Sequence, residues 1–123
     1  TVDTALTFGT YRLHQQYVMM VLYFACGGSN WRTLLRPFDQ ETNANECTFL
    51  GVICNADEHI VVVELAGERM TGKVPSEVGL LKDLQILDLG DNFLQGRIPT
   101  SVGKLTNLGK FHFSLLEPKS FFL

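Results

Sequence analysis

Three residues of types that bind metal ions recur at equal spacing along the chain. Glu64, Asp88 and His112 stand at positions that differ by 24 and by 24. In a sheet built from stacked copies of one unit they would form an outward column, with neighbours about 4.8 Å apart. Adjacent-strand spacing does not by itself close a tetrahedral metal site. We therefore interpret the column as a solvated face with an Asp88–His112 ion pair, worth at most about 1 kcal/mol when exposed, and predict no metal site.

The glycine-rich segment and the histidines of the sequence do not match known catalytic or phosphate-binding motifs. The glycines of GGSNW (residues 27–31) are not followed by Lys-Ser or Lys-Thr at the spacing of a phosphate-binding loop. His14, His59 and His112 lack a nucleophile at a recognisable signature. The sequence therefore favours a non-enzymatic protein without a cofactor.

The column of Glu64, Asp88 and His112 can form only if a structural repeat positions these residues. The chain contains a sequence repeat with the same offset of 24 residues. A unit this short cannot bury its own apolar face, so its copies must stack and share one core. The pairs that differ by 24 are Gly72 and Gly96, Pro75 and Pro99, Gly79 and Gly103, Leu81 and Leu105, Leu84 and Leu108, Leu65 and Leu89, and Val63 and Leu87.

The unit follows the leucine-rich-repeat template L-x-x-L-x-L-x-x-N-x-L. Leu87 and Leu89 flank the polar Asp88, which predicts a strand with the leucines inward and Asp88 outward. Asn92 falls at a turn, where a buried amide can bond backbone groups of neighbouring coils. The preceding copy has Glu68 there, so we expect a less regular first coil. The three copies read Leu84, Leu87, Leu89, Asn92, Leu94; Ile60, Val63, Leu65, Glu68, Met70; and Leu108, Phe111, Phe113 before the pattern fades.

Around this template the chain resembles the plant-type leucine-rich-repeat family, including short microalgal members, over roughly residues 15–113. The segments MTGKVP and LQGRIP resemble its LxGxIPxxLGxLxxL signature. ECTFLGVIC is similar to the CxWxGVxC element of the family's N-terminal cap, with Phe49 where Trp is usual. QYVMMVLYFACGGSNW is similar to the helix and GG-x-NW segment that opens such caps.

The resemblance implies an α/β solenoid: a right-handed coil with a short parallel sheet on its concave face and an α-helical N-terminal cap. A second short strand at LxGxIP and 3₁₀-like turns on the convex side are implied with it. We expect a cap over 1–58, with a helix at about 11–26, a polar loop and the Cys47–Cys54 element. Repeats then span 59–113 (about 60–83, 84–107 and a partial 108–113), and 114–123 form an irregular tail.

The predicted cap helix has independent support. Tyr17 to Cys26 is an apolar run of ten residues, and Gly27 and Gly28 supply a helix stop. A membrane span needs about 20 apolar residues, so we predict no transmembrane segment here. The helix instead covers the open end of the solenoid.

Two of the three cysteines invite pairing. Cys47 and Cys54 could be free thiols. Disulfide bridges, however, stabilise small caps and persist mainly in oxidising compartments, so a disulfide is favoured. A metal site is less favoured, because no Cys-x2-Cys or His-x3-His pair accompanies them. Cys26 is most simply a small buried hydrophobe. An extracellular or membrane-anchored location rests on this pair.

The net charge and the predicted outward positions limit the class of partner that this protein can bind. The net charge of −3, from 10 basic and 13 acidic residues, gives no basic stripe for nucleic acid. We expect a protein or peptide ligand on the concave face. The candidate binding residues are Val62, Glu64, Gln85, Ile86, Asp88, Lys110 and His112.

The C-terminal residues favour a fragment of a longer protein, a truncated gene product or a faulty coding sequence over a functional tail. LEPKSFFL has neither the Gly-x-Ile-Pro element nor the polar outer face of a terminal repeat. Two alternatives to a simple interaction module follow from the family resemblance. One is the N-terminal part of a receptor-like kinase ectodomain, and the other is a secreted inhibitor of cell-wall-degrading enzymes.

Overall fold

A computed structural model describes residues 4–32 and 45–115. Most of the predicted polar loop, and the predicted tail beyond Leu115, lie outside the described residues. The α-helix is α1 (Thr4–Ala25), and the strands are β1 (Val52–Cys54), β2 (Ile60–Glu64), β3 (Thr71–Gly72), β4 (Ile86–Leu94) and β5 (Lys110–Leu115). Short 3₁₀ helices span Gly28–Asn30, Glu46–Thr48, Ser76–Leu80 and Thr100–Lys104.

The 24-residue offset reappears as strand register. β2, β4 and β5 pair in parallel, with Val63 beside Leu87 and Leu87 beside Phe111. The 3₁₀ helices Ser76–Leu80 and Thr100–Lys104 begin and end at the same offset. The second half of β4 pairs with β3, where Thr71 lies beside Phe93. The predicted parallel sheet is therefore present, together with a second strand pair that begins at Thr71.

Alternation along β4 separates core from surface as predicted. Leu87 and Leu89 are 1% and 0% exposed, whereas Asp88 between them is only half-buried. Val18 and Leu22 of α1 join the same hydrophobic core. Burial of each such leucine contributes about 1.5–3 kcal/mol, which is why the strand phase is fixed.

Asn92 ties the first coil to the second. Its Oδ1 accepts hydrogen bonds from the backbone N–H groups of Glu68 (2.9 Å) and Met70 (3.0 Å). Its Nδ2 donates towards the carbonyl oxygens of Leu65 (2.9 Å) and Leu89 (3.0 Å), and towards that of Gly90 (3.0 Å). One buried amide thus satisfies backbone groups in two coils, as its position in the repeat predicts.

Helix α1 starts earlier than expected. It begins at Thr4 rather than at about residue 11, and it ends at Ala25. No proline interrupts residues 4–16, so the helix continues upstream of the apolar run. Gly27 then adopts φ 69°, the left-handed conformation that stops the helix.

Polar side chains dock α1 against the cap and β2. Gln15 accepts a hydrogen bond from the Ile60 N–H (2.6 Å) and donates to the Glu58 carbonyl (3.0 Å). Arg12 donates to both Glu46 (2.6 Å) and Glu58. The Glu46 side chain is fully buried, so its charge depends on Arg12 for compensation.

An aromatic pair extends this contact to the end of the first coil. The rings of Tyr11 and His59 stack with centroids 3.7 Å apart. The Tyr11 hydroxyl donates a hydrogen bond to Asp83 Oδ2 (3.0 Å), and His59 Nδ1 lies 2.7 Å from the same oxygen. Burial, followed by the hydrogen bond to Asp83, raises the pKa of Tyr11 above its ordinary value. Tyr11 is therefore a neutral donor at physiological pH.

The cysteines divide as the sequence analysis favours. Cys47 and Cys54 form a disulfide with Cα atoms 5.5 Å apart. Cys26 is a free, fully buried thiol. Burial raises the pKa of Cys26 to about 12, so it is a packing residue and not a reactive one. Its carbonyl accepts a hydrogen bond from the buried Trp31 indole at 2.8 Å.

The coils become less covered along the repeats. Ile98 is 45% exposed, whereas its counterpart Val74 is 6% exposed. Phe111 and Phe113 are half-buried, while Leu87 at the matching position is buried. Exposure of these positions therefore increases from the first coil to the third.

Candidate binding face

Strand register places the predicted binding residues in two rows. Val62, Ile86 and Lys110 stand side by side across β2, β4 and β5. Glu64, Asp88 and His112 form a second row, two residues further along the same strands. Neighbouring strands are about 4.8 Å apart. We call these two rows, with Gln85 and Ile53, the outward sheet face.

The first row is apolar over three strands because β1 joins the sheet. β1 pairs antiparallel with β2 and sets Ile53 beside Val62. Ile53 is 56% exposed and Ile86 is half-buried. Val62, predicted as an exposed binding residue, is only 8% exposed. That expectation needs correction: Val62 stands between two branched side chains, so it supports the row and offers little surface itself.

The second row carries the charged groups. Glu64 is exposed. Asp88 Oδ1 accepts a hydrogen bond from the Gly90 N–H (3.0 Å) and lies 3.1 Å from His112 Nδ1. The expected Asp88–His112 pair is therefore formed, with the His112 side chain 52% exposed. Within residues 4–32 and 45–115, no group of three or more His, Cys, Asp or Glu is arranged to hold a metal ion.

Gly90 makes room for the histidine. A Cβ at Gly90 would lie 2.3 Å from His112 Cε1, well inside van der Waals contact. The ring can therefore lie over the backbone of β4 only because this position has no side chain. Sequence periodicity gave no reason to single out Gly90, since its role depends on a side chain in the next coil.

Gln85 and Lys110 border the apolar row. The Gln85 side chain is exposed just before β4, and its carbonyl accepts hydrogen bonds from the N–H groups of Gly109 (2.8 Å) and Lys110 (3.1 Å). Lys110 is exposed at the start of β5. The backbone beneath both side chains is therefore held by inter-coil hydrogen bonds.

Ile53 is the residue of the outward sheet face that the sequence analysis missed. Val52, Ile53 and Cys54 alternate between buried, exposed and half-buried in β1, but all three are apolar, so no apolar–polar alternation marks this strand in the sequence. It is only three residues long, and the family resemblance drew attention to the cysteines instead. The outward sheet face is therefore one strand wider than the repeats alone predict.

The groups on this face suit non-covalent recognition. They offer a short apolar strip, a solvated carboxylate at Glu64, a carboxylate–imidazole pair, an amide and an ammonium group. Fixed backbone spacing holds the apolar strip and the charged row about 7 Å apart. No helix of the described part combines the length and apolar character needed to cross a membrane.

Known proteins with similar sequences carry the same repeats. No protein-family model matches the chain. The chain is 32% identical over 64 residues to a probable leucine-rich repeat receptor-like protein kinase of Arabidopsis thaliana. That match covers 52% of this chain and 7% of the kinase. The chain thus spans less than a tenth of the length of the receptor-like kinases to which it is similar.

Solved structures agree with the sequence relatives. The BIR2 ectodomain from Arabidopsis thaliana aligns with a TM-score of 0.70 at 26% identity, over 83% of this chain and 54% of that chain. The ectodomain of the plant membrane receptor kinase GASSHO1/SCHENGEN3 from Arabidopsis thaliana, in complex with CASPARIAN STRIP INTEGRITY FACTOR 2, gives a TM-score of 0.67 at 29% identity, over 82% of this chain and 12% of that chain. Periodicity, strand register and these likenesses agree with one another: the chain is similar in sequence and in fold to plant-type leucine-rich-repeat proteins.

Proposed function

We propose that this chain is a non-enzymatic interaction module that binds a protein or peptide on its outward sheet face. We further propose that its repeats coil as a right-handed solenoid, with that face on the concave side. The observation that carries the proposal is the apolar row Ile53–Val62–Ile86 beside the acidic residues Glu64 and Asp88. Curved, rigid sheets of this kind serve as binding surfaces in many solenoids.

The chemistry of the two rows defines the partner. An extended segment could place apolar side chains on the first row and a Lys or Arg near the second. Asp88 already meets His112, so Glu64 is the more available carboxylate for a cationic group. Partner charge should therefore affect association rate and specificity, and reversing the charge of the acidic row should repel a cationic partner. Lys110 at the end of the apolar row favours a carboxylate at that end of the ligand.

The backbone under these rows supports tight recognition. Asn92 and the parallel ladder fix β2 and β4 relative to one another. A preformed face loses little conformational entropy on binding. The affinity therefore depends mainly on how well the partner segment matches the two rows.

The similar proteins support an extracellular setting. One structural neighbour is a membrane receptor kinase ectodomain in complex with CASPARIAN STRIP INTEGRITY FACTOR 2. The Cys47–Cys54 disulfide fits an oxidising compartment. We therefore place this module outside the cell, as part of a receptor-like ectodomain.

Selection from a displayed library of random peptides against the immobilised chain tests the proposal. We expect enrichment of extended sequences that combine apolar residues with Lys or Arg. Binding should fall at least about tenfold in the double variant Glu64→Lys with Asp88→Lys. A matched control reverses two carboxylates elsewhere, as Asp57→Lys with Glu77→Lys, and should bind normally. Equal loss in both variants, or no enrichment over a blocked surface, would contradict the proposal.

A further inference from the structure

Helix α1 exposes large apolar side chains along one line. Leu13 is 65% exposed, Tyr17 45%, Met20 36% and Phe24 70%. The residues that α1 buries, among them Val18 and Leu22, lie on the opposite side. We call Leu13, Tyr17, Met20 and Phe24 the helix stripe. None of them belongs to the outward sheet face, so the stripe is a second surface that peptide binding does not explain.

The spacing of the helix stripe matches the seam of a coiled coil. Its positions 13, 17, 20 and 24 advance by four, three and four residues. At 100° per residue the four side chains stay within a narrow arc of the helix surface. Alternating steps of three and four are the spacing at which two helices pack knobs into holes. The stripe is therefore shaped for another α-helix.

Charge around the stripe favours a copy of the same helix as that partner. The flanking positions hold His14, Gln16, Val21 and Tyr23, none of which is acidic or permanently cationic. Residues 4–25 contain no Asp or Glu, and Arg12 is held by Glu46 and Glu58. Two such helices meet without like-charge repulsion. A strongly charged partner helix, or an anionic membrane, finds no complementary group here.

The area of the stripe suffices for a weak but specific dimer. At about 200 Å² for each large side chain, the exposed fractions leave roughly 430 Å² of apolar surface per copy. Two copies together then offer roughly 860 Å² from the stripe alone, to which the half-buried flanking residues Gln16, Val21 and Tyr23 add. This is the size of a weak, transient interface, below about 1,200 Å². The Phe24 ring also packs edge-on against Tyr23, with centroids 5.3 Å apart. This contact already restricts the Phe24 side chain, so it loses less conformational entropy when two helices pair.

We propose that the helix stripe of α1 is a self-association surface, on which two copies of this chain pair helix against helix. The pairing leaves the outward sheet face of each copy open. A dimer formed this way would present two peptide-binding faces together. The inference does not depend on the proposed peptide binding.

Sedimentation velocity on residues 1–123, from about 1 to 100 μM, tests the pairing. We expect a monomer–dimer equilibrium with a dissociation constant on the order of 10 μM. The double variant Tyr17→Gln with Phe24→Gln should weaken it at least about tenfold. The matched control, Phe93→Gln with Ile98→Gln, removes two exposed apolar residues of the repeats (51% and 45% exposed) and should dimerise normally. Trp31 fluorescence checks that each variant is folded.

Each other outcome overturns the proposal. A wild-type chain that stays monomeric throughout the range has no self-association surface. If the stripe variant dimerises as strongly as the wild type, the chains associate through another surface, for example the last coil. A monomeric wild type that co-sediments with phosphatidylcholine vesicles, while the stripe variant does not, assigns the stripe to a lipid surface instead. Loss of dimerisation in the control variant would show that the effect is not specific to α1.

Discussion

Replacing Asn92 by Ala should destabilise the fold far more than a surface Asn change. The side chain is 6% exposed, and it accepts from two backbone N–H groups while donating towards three carbonyls. Its two amide hydrogens can satisfy at most two of those carbonyls at once. Four hydrogen bonds at about 0.5–1.5 kcal/mol each give about 2–6 kcal/mol, so we expect a loss of at least about 3 kcal/mol.

Urea unfolding followed by Trp31 fluorescence measures this loss. Trp31 is the only tryptophan and is 4% exposed, so its emission reports on the folded cap. At a slope near 1.5 kcal/mol/M, about 3 kcal/mol lowers the midpoint by about 2 M. Asn107→Ala, at an exposed position, is the control and should stay within about 0.5 kcal/mol. Similar midpoints for the two variants would refute the account of Asn92.

The variant Asn92→Asp separates the contribution of the hydrogen bonds that Asn92 accepts from that of the hydrogen bonds that it donates. A carboxylate keeps both accepted N–H bonds but faces the carbonyls of Leu65, Leu89 and Gly90 without a hydrogen. Burial and these oxygens should raise the pKa of the new carboxyl in the folded state. A raised folded-state pKa means that the variant's stability falls as pH rises above about 4, its unfolded value. The variant should therefore be closer to wild type at pH 4 than at pH 7, and a flat difference would contradict this.

Three further predictions follow from the packing. Leu89→Ala should cost about 2–5 kcal/mol in the same urea assay, and a loss under about 1 kcal/mol would show that the strand phase is wrong. Cys26, whose pKa burial raises to about 12, should not react with a thiol reagent at pH 8 until the chain unfolds. Because the unfolded thiol ionises near pH 8.5, stability should also fall from about pH 9 towards pH 12, and titration of a thiol in the native state would contradict both statements. Arg12→Met should cost about 3 kcal/mol by leaving Glu46 buried and uncompensated, and adding Glu46→Gln should recover part of the loss in a double-mutant cycle.

The repeat could be predicted from sequence because its signals are periodic. Leu87, Asp88 and Leu89 set the strand phase by alternation, and the offset of 24 set the register between strands. Each of these signals is repeated in the neighbouring coil. An error at one position would therefore not have changed the interpretation.

The docking of α1 could not be predicted, because it depends on single polar contacts between distant segments. Gln15 and Glu46 are polar yet 1% and 0% exposed. Their partners, Arg12 and the Ile60 backbone, have no fixed spacing from them. The start of α1 at Thr4 was also missed, since the apolar run from Tyr17 marks only the C-terminal part of the helix.

The outward sheet face was predicted where it follows the repeat and missed where it does not. The column Glu64, Asp88 and His112 was correct in register. Ile53 enters the face through an antiparallel pairing of the cap strand with β2. Nothing in a parallel repeat predicts that partner, so Val62 was expected to be more exposed than it is.

Backbone amide chemical shifts on titration with a selected peptide test the central claim most directly. The account predicts that the largest changes fall in β2, β4 and β5, at Glu64, Asp88 and His112, with Ile53 of β1 included. Residues of the 3₁₀ helix Ser76–Leu80 should change little. Changes centred on that 3₁₀ helix or on α1, with the outward sheet face unaffected, would contradict the proposed binding mode.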